Sequence, residues 1–369
     1  MNTTLDVLGK GTVKHEKTLF HIVNLIALNQ KSLAQSVLNR LLDKLNTDEC
    51  SSAVNYLVFA RALAERISGS VAAKANLYLK TYDLPQIHLF NLLVRDVPVI
   101  SAVSQLATNL LADACQKQDD ITLIDVGIGT GRQVVDLLAK LGSHKIVPKR
   151  ILVVGIEPSA WSLDLAKQNC EKAAAQIGID IEFISICKAV EDLTEHEWDH
   201  LKQVCHNPTI NASFALHHIK DIEGRNVRTL VLQRLRSLNP NLLVLSEPNV
   251  NHLEQDFLKR FCNCWHHFGI VFKLIDSLDI SQCDKNALKA CFFGREIIDI
   301  LAVNENRTER HEDTSSWLHR LRNSGFKVTT PQPVYDLLNF SQVKLTLTSD
   351  YFSFDYDGEP IESVLVAAS

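Results

Sequence analysis

The chain has 369 residues, of which 46% are hydrophobic and 22% are charged, and its formal net charge is −5. A chain of this length and composition can bury a large core, and we expect one large domain with an accessory part. The acidic balance argues against direct binding of DNA or RNA, for which proteins normally present a basic face.

Two further features exclude classes of protein. The first residues lack the basic and apolar regions of a signal peptide, and no apolar run reaches the ~18 residues of a membrane span. We therefore expect a cytoplasmic protein without a membrane segment. The nine cysteines are scattered and form no Cys-x-x-Cys pair, which favours reduced thiols and predicts no metal site.

The first quarter of the chain is predicted to be helical. Apolar residues recur at three- and four-residue spacing from about residue 15 to residue 79, and a further helix is predicted over residues 99–115. The pattern indicates an N-terminal helical region that ends near residue 98.

An alternation of strands and helices follows. Strands are predicted at residues 122–126, 151–157, 181–186, 209–216 and 242–247, with helices such as 162–175 and 225–237 between them. Residues 351–356 and 362–368 flank an Asp-Gly turn and predict a terminal hairpin. The pattern predicts an α/β fold with a Rossmann-like sheet that is mostly parallel and ends in an antiparallel C-terminal hairpin.

The turn after the first of these strands carries the strongest motif, Asp125-x-Gly127-x-Gly129-x-Gly131. The dinucleotide fingerprint requires Gly-x-Gly-x-x-Gly, and its third glycine position falls on Arg132, which disfavours a nicotinamide cofactor. The spacing resembles the first motif of S-adenosylmethionine-dependent methyltransferases, in which loop amides and a helix N-terminus suit the methionine end of the cofactor. A glycine turn without a ligand is the alternative.

Candidate cofactor residues also follow the next two strands. Glu157 ends the second strand, where a carboxylate can accept hydrogen bonds from both ribose hydroxyls; an exposed strand-end acid is the alternative. Val190 or Glu191 follows the third strand, where methyltransferases commonly place a residue near the adenine. A first-turn acid that favours the helix dipole explains Glu191 equally well.

The fourth and fifth strands end in the candidate catalytic residues His217, His218 and Glu247. The Leu-His-His sequence resembles the fourth motif of many small-molecule methyltransferases, and a neutral imidazole can position a nucleophile or take its proton. Adjacent side chains at a strand end point to opposite faces, so we expect at most one histidine to face a substrate. A structural histidine is the alternative.

Several separated segments resemble the GRAS family, in matching order and spacing. They are Leu123-Ile124-Asp125, Glu247-Pro248-Asn249-Val250-Asn251-His252, Phe293-Gly294-Arg295-Glu296-Ile297, Arg307-Thr308-Glu309-Arg310-His311-Glu312, Trp317 and Gly325-Phe326. The resemblance implies a sheet of the class I methyltransferase type with an α-helical cap. The expected cap comprises residues 1–98 and an insertion at 249–297, and the expected core comprises residues 99–248 and 298–369.

The family resemblance leaves two functions open. Plant members are transcriptional regulators that act through protein contacts and usually have a degraded glycine loop. This chain keeps the loop intact and lacks the long variable N-terminus and the full Ser-Ala-Trp ending, so it is more similar to the bacterial branch. We therefore expect an S-adenosylmethionine-dependent methyltransferase that acts on a small molecule. The alternative is a non-catalytic regulator that binds a small molecule or other proteins.

The resemblance also implies a substrate site, in which polar groups at the junction of core and cap recognise a carboxylated or hydroxylated molecule. The expected residues are Asn249, Asn251, His252, His266, Arg295, Glu296, Arg310, His311 and Glu312. One alternative is helix capping by Asn249 or Asn251. Another is a structural ion-pair network that includes Arg295, Glu296, Arg310 and Glu312. Oligomerisation through the cap helices is left open.

Overall fold

The structure is a computed structural model, and it describes residues 10–46, 53–68, 93–116, 118–143, 148–221, 226–303, 307–329 and 342–369. Residues 47–52 and 69–79 of the predicted N-terminal helical pattern and residue 225 of a predicted helix lie outside these ranges. The described residues form two compact units. We call them the helical unit (within residues 1–97 and 250–310) and the sheet unit (within residues 98–249 and 311–369).

Several helices begin at a polar residue whose side chain accepts a backbone N–H of the first turn, as Ser159, Asp256 and Asp313 do. The helices are α1 (Lys10–Ala27), α2 (Lys31–Asn46), α3 (Ala53–Ser68), α4 (Pro98–Cys115), α5 (Arg132–Gly142), α6 (Ala160–Ile177), α7 (Glu195–Val204), α8 (Val227–Ser237), α9 (Phe257–Ser277), α10 (Gln282–Ala287), α11 (Gly294–Leu301) and α12 (Thr314–Asn323). A π-helical turn, Leu288–Phe293, joins α10 to α11.

The sheet unit contains one mixed sheet. Its strands are β1 (Asp120–Val126), β2 (Arg150–Ile156), β3 (Asp180–Ile186), β4 (Thr209–Ser213), β5 (Leu242–Pro248), β6 (Lys327–Thr329), β7 (Lys344–Leu347), β8 (Tyr351–Tyr356) and β9 (Glu359–Ala368). The strand order is β3-β2-β1-β4-β5-β9-β8-β7, and β6 pairs with β9. Strands β1 to β5 are parallel and the others antiparallel.

This order places a topological switch point between β1 and β4, because the chain leaves β1 toward β2 and β3 and later returns to its other side. In open α/β sheets the ligand crevice lies at the carboxyl ends of the strands at such a point. The central strands are apolar and buried on both faces, as a parallel sheet covered by helices requires. The glycine loop therefore begins at the position in the sheet where ligands commonly bind.

The mixed α/β fold agrees with the sequence pattern, but several boundaries differ. The fourth strand was expected to reach residue 216, and it ends at Ser213 because Phe214 turns the chain with φ +54°. The short strands β6 and β7 and the helix α7 were not predicted. Each is only three to ten residues long, which is too short for a distinct periodic signal.

The second segment of the helical unit extends to Arg310 rather than to residue 297. Helix α11 crosses the expected boundary without a break and packs against α3. Beyond it, the Asp299 carboxylate accepts the backbone N–H groups of Thr308 and Glu309 at 2.6 and 2.7 Å. These bonds hold the chain after α11 in the helical unit. None of the helices in the described ranges combines the length and apolarity that a bilayer crossing requires.

Candidate functional site

The glycine loop follows β1 in a conformation that favours glycine. Gly127, Gly129 and Gly131 have φ values of +74°, +54° and +78°, a region that other residues enter only with strain. A Cβ at Gly127 would lie 2.7 Å from the Cβ of Ala215, whereas a Cβ at Gly129 would meet no described atom within 4 Å. The first glycine thus permits close packing, and the second leaves open space above the loop.

Asp125 lies under this loop and is 2% exposed. Its Oδ1 accepts a hydrogen bond from Asn211 Nδ2 at 2.8 Å, across the β1–β4 pair. Its Oδ2 has no hydrogen-bond partner among the described residues. Burial raises the pKa of Asp125 to about 7, the Asn211 bond lowers it, and the Glu157 charge raises it. The site therefore holds a buried acceptor that is available to a donor from a ligand.

Glu157 connects the end of β2 to the glycine loop. Its Oε2 accepts the backbone N–H of Gly129 at 3.1 Å, and its Oε1 accepts that of Ser159 at 3.0 Å. Burial raises the pKa of Glu157, while these two hydrogen bonds lower it. A carboxylate has about four lone-pair positions, so Glu157 can still accept two hydroxyl groups.

Val190 and Glu191 lie in the 3-10 turn Val190–Asp192, which follows β3. Val190 is 5% exposed and belongs to the core of the sheet unit. Burial raises the pKa of Glu191, and the charge on His218 lowers the pKa of both Glu157 and Glu191. His218 is therefore within electrostatic range of both acids at the carboxyl edge of the sheet.

The two candidate histidines differ from the expected strand-end arrangement. They lie in a 3-10 turn, Leu216–His218, and their rings approach to a centroid distance of 4.0 Å. Alternation of side chains along a strand therefore does not apply to them, and the expectation that they face opposite sides is wrong. The ring of His311 lies 4.3 Å from that of His217 on centroids.

Glu247 fixes His217 and its turn. Glu247 is fully buried, its Oε2 lies 2.5 Å from His217 Nδ1, and its Oε1 accepts the backbone N–H of Leu216 at 2.9 Å. Glu362 on β9 is also buried, and burial together with the Glu247 charge raises its pKa well above the ordinary value. This arrangement orients an imidazole and stabilises the turn at the same time.

Glu312 has two arginine partners inside the sheet unit. Its Oε1 lies 2.6 Å from Arg228 Nη1 and 2.5 Å from Arg320 Nη2, and its Oε2 accepts Arg320 Nε at 2.7 Å. Arg228 also donates to the carbonyl oxygens of His217 and Ile219 at 2.9 and 3.0 Å. The network ties the histidine turn to α12. The arginine partners of Glu312 are Arg228 and Arg320, and not the Arg295 and Arg310 that the sequence suggested.

The expected substrate residues are divided between the two units. Asn249, His311 and Glu312 belong to the sheet unit, and Asn251, His252, His266, Arg295, Glu296 and Arg310 belong to the helical unit. Asn249 Oδ1 accepts the backbone N–H of Thr314, whereas Asn251 Oδ1 accepts that of Glu254 in a turn before α9. Asp256, and neither asparagine, caps α9.

These expected substrate residues differ widely in solvent exposure. His252 is fully buried, and burial lowers its pKa well below the ordinary value. His266 is exposed, Arg295 and Glu296 are half-buried, and Arg310 is buried with its Nε donating to the Arg307 carbonyl at 3.0 Å. Some of these residues lie at the surface and others lie in the interior, so they do not line one common site.

Asn211, Glu362 and Arg228 were missed in the sequence. Each bonds or interacts electrostatically with a predicted residue, Asp125, Glu247 and Glu312 respectively. A signal existed for Asn211, because it is a polar residue inside the apolar strand β4. Glu362 and Arg228 lie far along the chain from Glu247 and Glu312, so no local pattern connects them with these partners.

Comparisons with known proteins establish the family. A sequence profile of the GRAS domain family matches residues 15–352. The chain is 27% identical to the Scarecrow-like transcription factor PAT1 of Arabidopsis thaliana over 63% of this chain and 49% of that protein. It is 26% identical to the DELLA protein RGL1 of Arabidopsis thaliana over 73% of this chain and 51% of that protein. The chain belongs to the GRAS domain family.

A solved structure agrees with this assignment at the level of the fold. The crystal structure of SCL7 from Oryza sativa has a TM-score of 0.79 and 22% identity, over 96% of this chain and 99% of that one. The curated relatives named above are about twice as long as the region that matches, so the chain spans about half of their length.

The expected methyltransferase function is wrong. The curated relatives that match the chain carry names of plant regulators, a transcription factor and a DELLA protein among them. Intact glycine spacing is compatible with a ligand-binding loop, but it does not establish a reaction. The alternative, a non-catalytic regulator, agrees better with the relatives.

Proposed function

We propose that the chain is a regulatory protein that acts through protein contacts and binds a small effector at its glycine loop. The names of its relatives support a regulatory role, since PAT1 is called a transcription factor. The observation that carries the effector site is the glycine loop itself, with open space at Gly129 and the buried, unpartnered Oδ2 of Asp125 beneath it. Both features suit a bound ligand, which would fill the space at Gly129 and donate a hydrogen bond to Asp125.

The chemistry of the loop favours an adenosine ligand with an amino-acid end, such as S-adenosylmethionine or S-adenosylhomocysteine, held as an effector. Glu157 retains acceptor positions for two ribose hydroxyls. The loop amides and the N-terminus of α5 suit a carboxylate, and the free oxygen of Asp125 suits an ammonium group or its bound water. The strand order around the switch point supports a sheet of the class I methyltransferase type.

Isothermal titration calorimetry with S-adenosylhomocysteine and S-adenosylmethionine tests this site. Gly129→Ala has a matched control in Gly178→Ala: both glycines have positive φ, +54° and +73°, and neither Cβ would meet an atom within 4 Å among the described residues. The two variants therefore carry similar backbone strain, but only Gly129 lies in the loop.

We expect wild type and Gly178→Ala to bind both ligands. Glu157→Ala removes a charged hydrogen-bond partner, which is worth ~1.5–3 kcal/mol, and Gly129→Ala changes the loop itself. We expect both of these variants to bind the ligands at least about tenfold more weakly. Equal affinity of all four proteins, or no binding by folded wild type, would contradict the proposed effector site.

The proposed partners are other proteins and the small effector. The net charge of −5 supports regulation without direct contact to nucleic acid. The cytoplasmic location, the bacterial origin and an assembly through the helices of residues 1–98 and 249–297 stay predictions.

A further inference from the structure

Two arginines in the helical unit are buried without a carboxylate partner. Arg260 on α9 is 0% exposed, and Arg307, which follows α11, is 1% exposed. Neither forms an ion pair with any residue that the structure describes. Buried charges are normally paired, because the loss of hydration is otherwise not compensated. Both arginines therefore lack the usual compensation for a buried charge.

Two other fully buried cations among the described residues follow the usual rule. Arg228 in the sheet unit lies 2.6 Å from Glu312, and Lys289 in the helical unit lies 2.6 Å from Asp276. The same sequence thus supplies carboxylates for buried cations elsewhere. The two arginines of the helical unit are the exception among these fully buried basic side chains.

Backbone carbonyls satisfy only part of the two guanidinium groups. Arg260 donates from Nε to the Ile300 carbonyl at 3.0 Å and from Nη1 to the Glu254 carbonyl at 2.6 Å. Arg307 donates from Nη2 to the carbonyl of His252. Arg260 Nη2 and Arg307 Nε are buried and have no acceptor among the described residues. An unsatisfied donor on a charged group is costly, so both atoms are poised for an acceptor.

The two side chains lie in one locality, because Arg260 Nη1 donates to the Glu254 carbonyl and Arg307 Nη2 donates to the carbonyl of His252, two residues earlier. Cys264 stands one helical turn after Arg260, and the charges of both arginines act on its thiol, whose pKa burial raises well above the ordinary value. The thiol is therefore neutral and supplies no counter-charge. Arg260 and Arg310 both lower the pKa of Arg307, which burial takes to about 9. The charge of Asp299 acts in opposition and raises the pKa of Arg307.

Acidic residues also lie in this locality. The carboxylate of Asp299 accepts the N–H groups of Thr308 and Glu309 and the hydroxyl of Thr308. Glu309 is buried in the same cluster, and it raises the pKa of Asp299. Glu254 acts on Arg260 only through its charge. None of these acids forms an ion pair with either arginine in the described part of the chain.

We propose that the helical unit binds an oxyanion, a carboxylate or phosphate group, through Arg260 Nη2 and Arg307 Nε. A guanidinium pair presents its donors in fixed directions, which suits the paired oxygens of such a group. The anion supplies the missing acceptors. This site is separate from the glycine loop, and the two can be tested independently.

The test measures thermal unfolding of the full chain with increasing inorganic phosphate, with acetate, and with potassium chloride at matched ionic strength. Phosphate also stabilises proteins without binding a site, but this effect acts equally on variants of the same chain. We expect phosphate or acetate to raise the unfolding temperature of wild type beyond the chloride control, and the anion that acts identifies the ligand group.

The variants distinguish a site from a structural role. Arg307→Lys and Arg260→Lys keep the positive charge but remove the fixed donors, and we expect each to weaken anion binding at least about tenfold. Arg150→Lys, at an exposed arginine of the sheet unit, is the control and should bind as wild type does. If Arg307→Lys does not fold, Arg260→Lys carries the test. Equal shifts in chloride and in both anions, or equal affinities of wild type and the lysine variants, would overturn the proposal.

Discussion

Asp125 couples the stability of the sheet unit to pH. Burial raises its folded pKa to about 7 from the ordinary value of 3.8. The folded protein then holds a proton that the unfolded chain has already released, so this contribution to stability is complete below about pH 4 and is lost as the pH rises through about 7. Asn211 holds the side chain in place whichever form is present.

The substitution Asp125→Asn removes this titration. We expect the variant to gain stability relative to wild type between about pH 5 and about pH 8, by on the order of 2–4 kcal/mol, since each pKa unit corresponds to about 1.36 kcal/mol. Urea unfolding at both pH values measures the difference. Glu362 also titrates abnormally, but it is present in both proteins and its contribution cancels. A difference between the two proteins that is constant with pH would contradict this account.

Gly127 is required for packing as well as for backbone conformation. The substitution Gly127→Ala adds a Cβ at 2.7 Å from Ala215 and also strains a residue with φ +74°. We expect it to lower the free energy of unfolding by about 2–4 kcal/mol. Gly178→Ala, with φ +73° and open space, isolates the strain and should cost about 1–2 kcal/mol. Equal losses in urea unfolding would show that the contact with Ala215 is not tight.

The local features of the loop could be read from the sequence, and its long-range partners could not. The spacing of Gly127, Gly129 and Gly131 indicates positive φ values because glycine alone adopts them freely. The strand register alone places Asn211 beside Asp125 and Glu362 beside Pro248. Register over such sequence distances depends on the packing of the whole sheet.

The turn after β4 shows how a strand end is decided by tertiary contacts. The apolar sequence predicts a strand to residue 216, yet the carboxylate of Glu247 takes the N–H of Leu216, and Arg228 takes the carbonyl of His217. These side-chain bonds satisfy the backbone groups of the turn, which would otherwise bond to a neighbouring strand. The turn between β4 and α8 is thus held by β5 and by the arginine network, neither of which a local pattern reveals.

Glu312 is the centre of that network, and its substitution tests the network directly. In Glu312→Gln the charge of Arg228 stays buried without its partner, and we expect a loss of about 3–5 kcal/mol in the free energy of unfolding. Glu182→Gln breaks the exposed pair with Arg150, and a much smaller loss is expected because solvent screens this pair. The comparison uses urea unfolding. Similar losses in the two variants would mean that the buried network does not stabilise the fold.

The two units illustrate a limit of pattern analysis over the whole chain. The helical unit combines residues from two segments far apart in sequence, and its boundary at Arg310 follows from the contacts of α11 and of Asp299. Periodicity indicates helices but not which segments share a core. The alternation of strands, in contrast, fixed the parallel part of the sheet, because crossover connections allow few arrangements.

The net charge of −5 predicts how the chain behaves toward nucleic acid. We expect no binding to a labelled DNA duplex in fluorescence anisotropy at physiological salt, because binding that neutralises phosphates requires clustered basic residues. A basic DNA-binding domain serves as the positive control. Salt-dependent binding by the chain would contradict regulation through protein contacts alone.

The measurement that tests the regulatory role most directly is a reporter assay in which the full chain is fused to a heterologous DNA-binding domain. We predict that the fusion changes reporter expression relative to the DNA-binding domain alone, that Gly178→Ala behaves as wild type, and that Gly129→Ala, which loses the effector, does not. An unchanged reporter, with the fusion present at normal levels, would contradict a regulatory function for this chain.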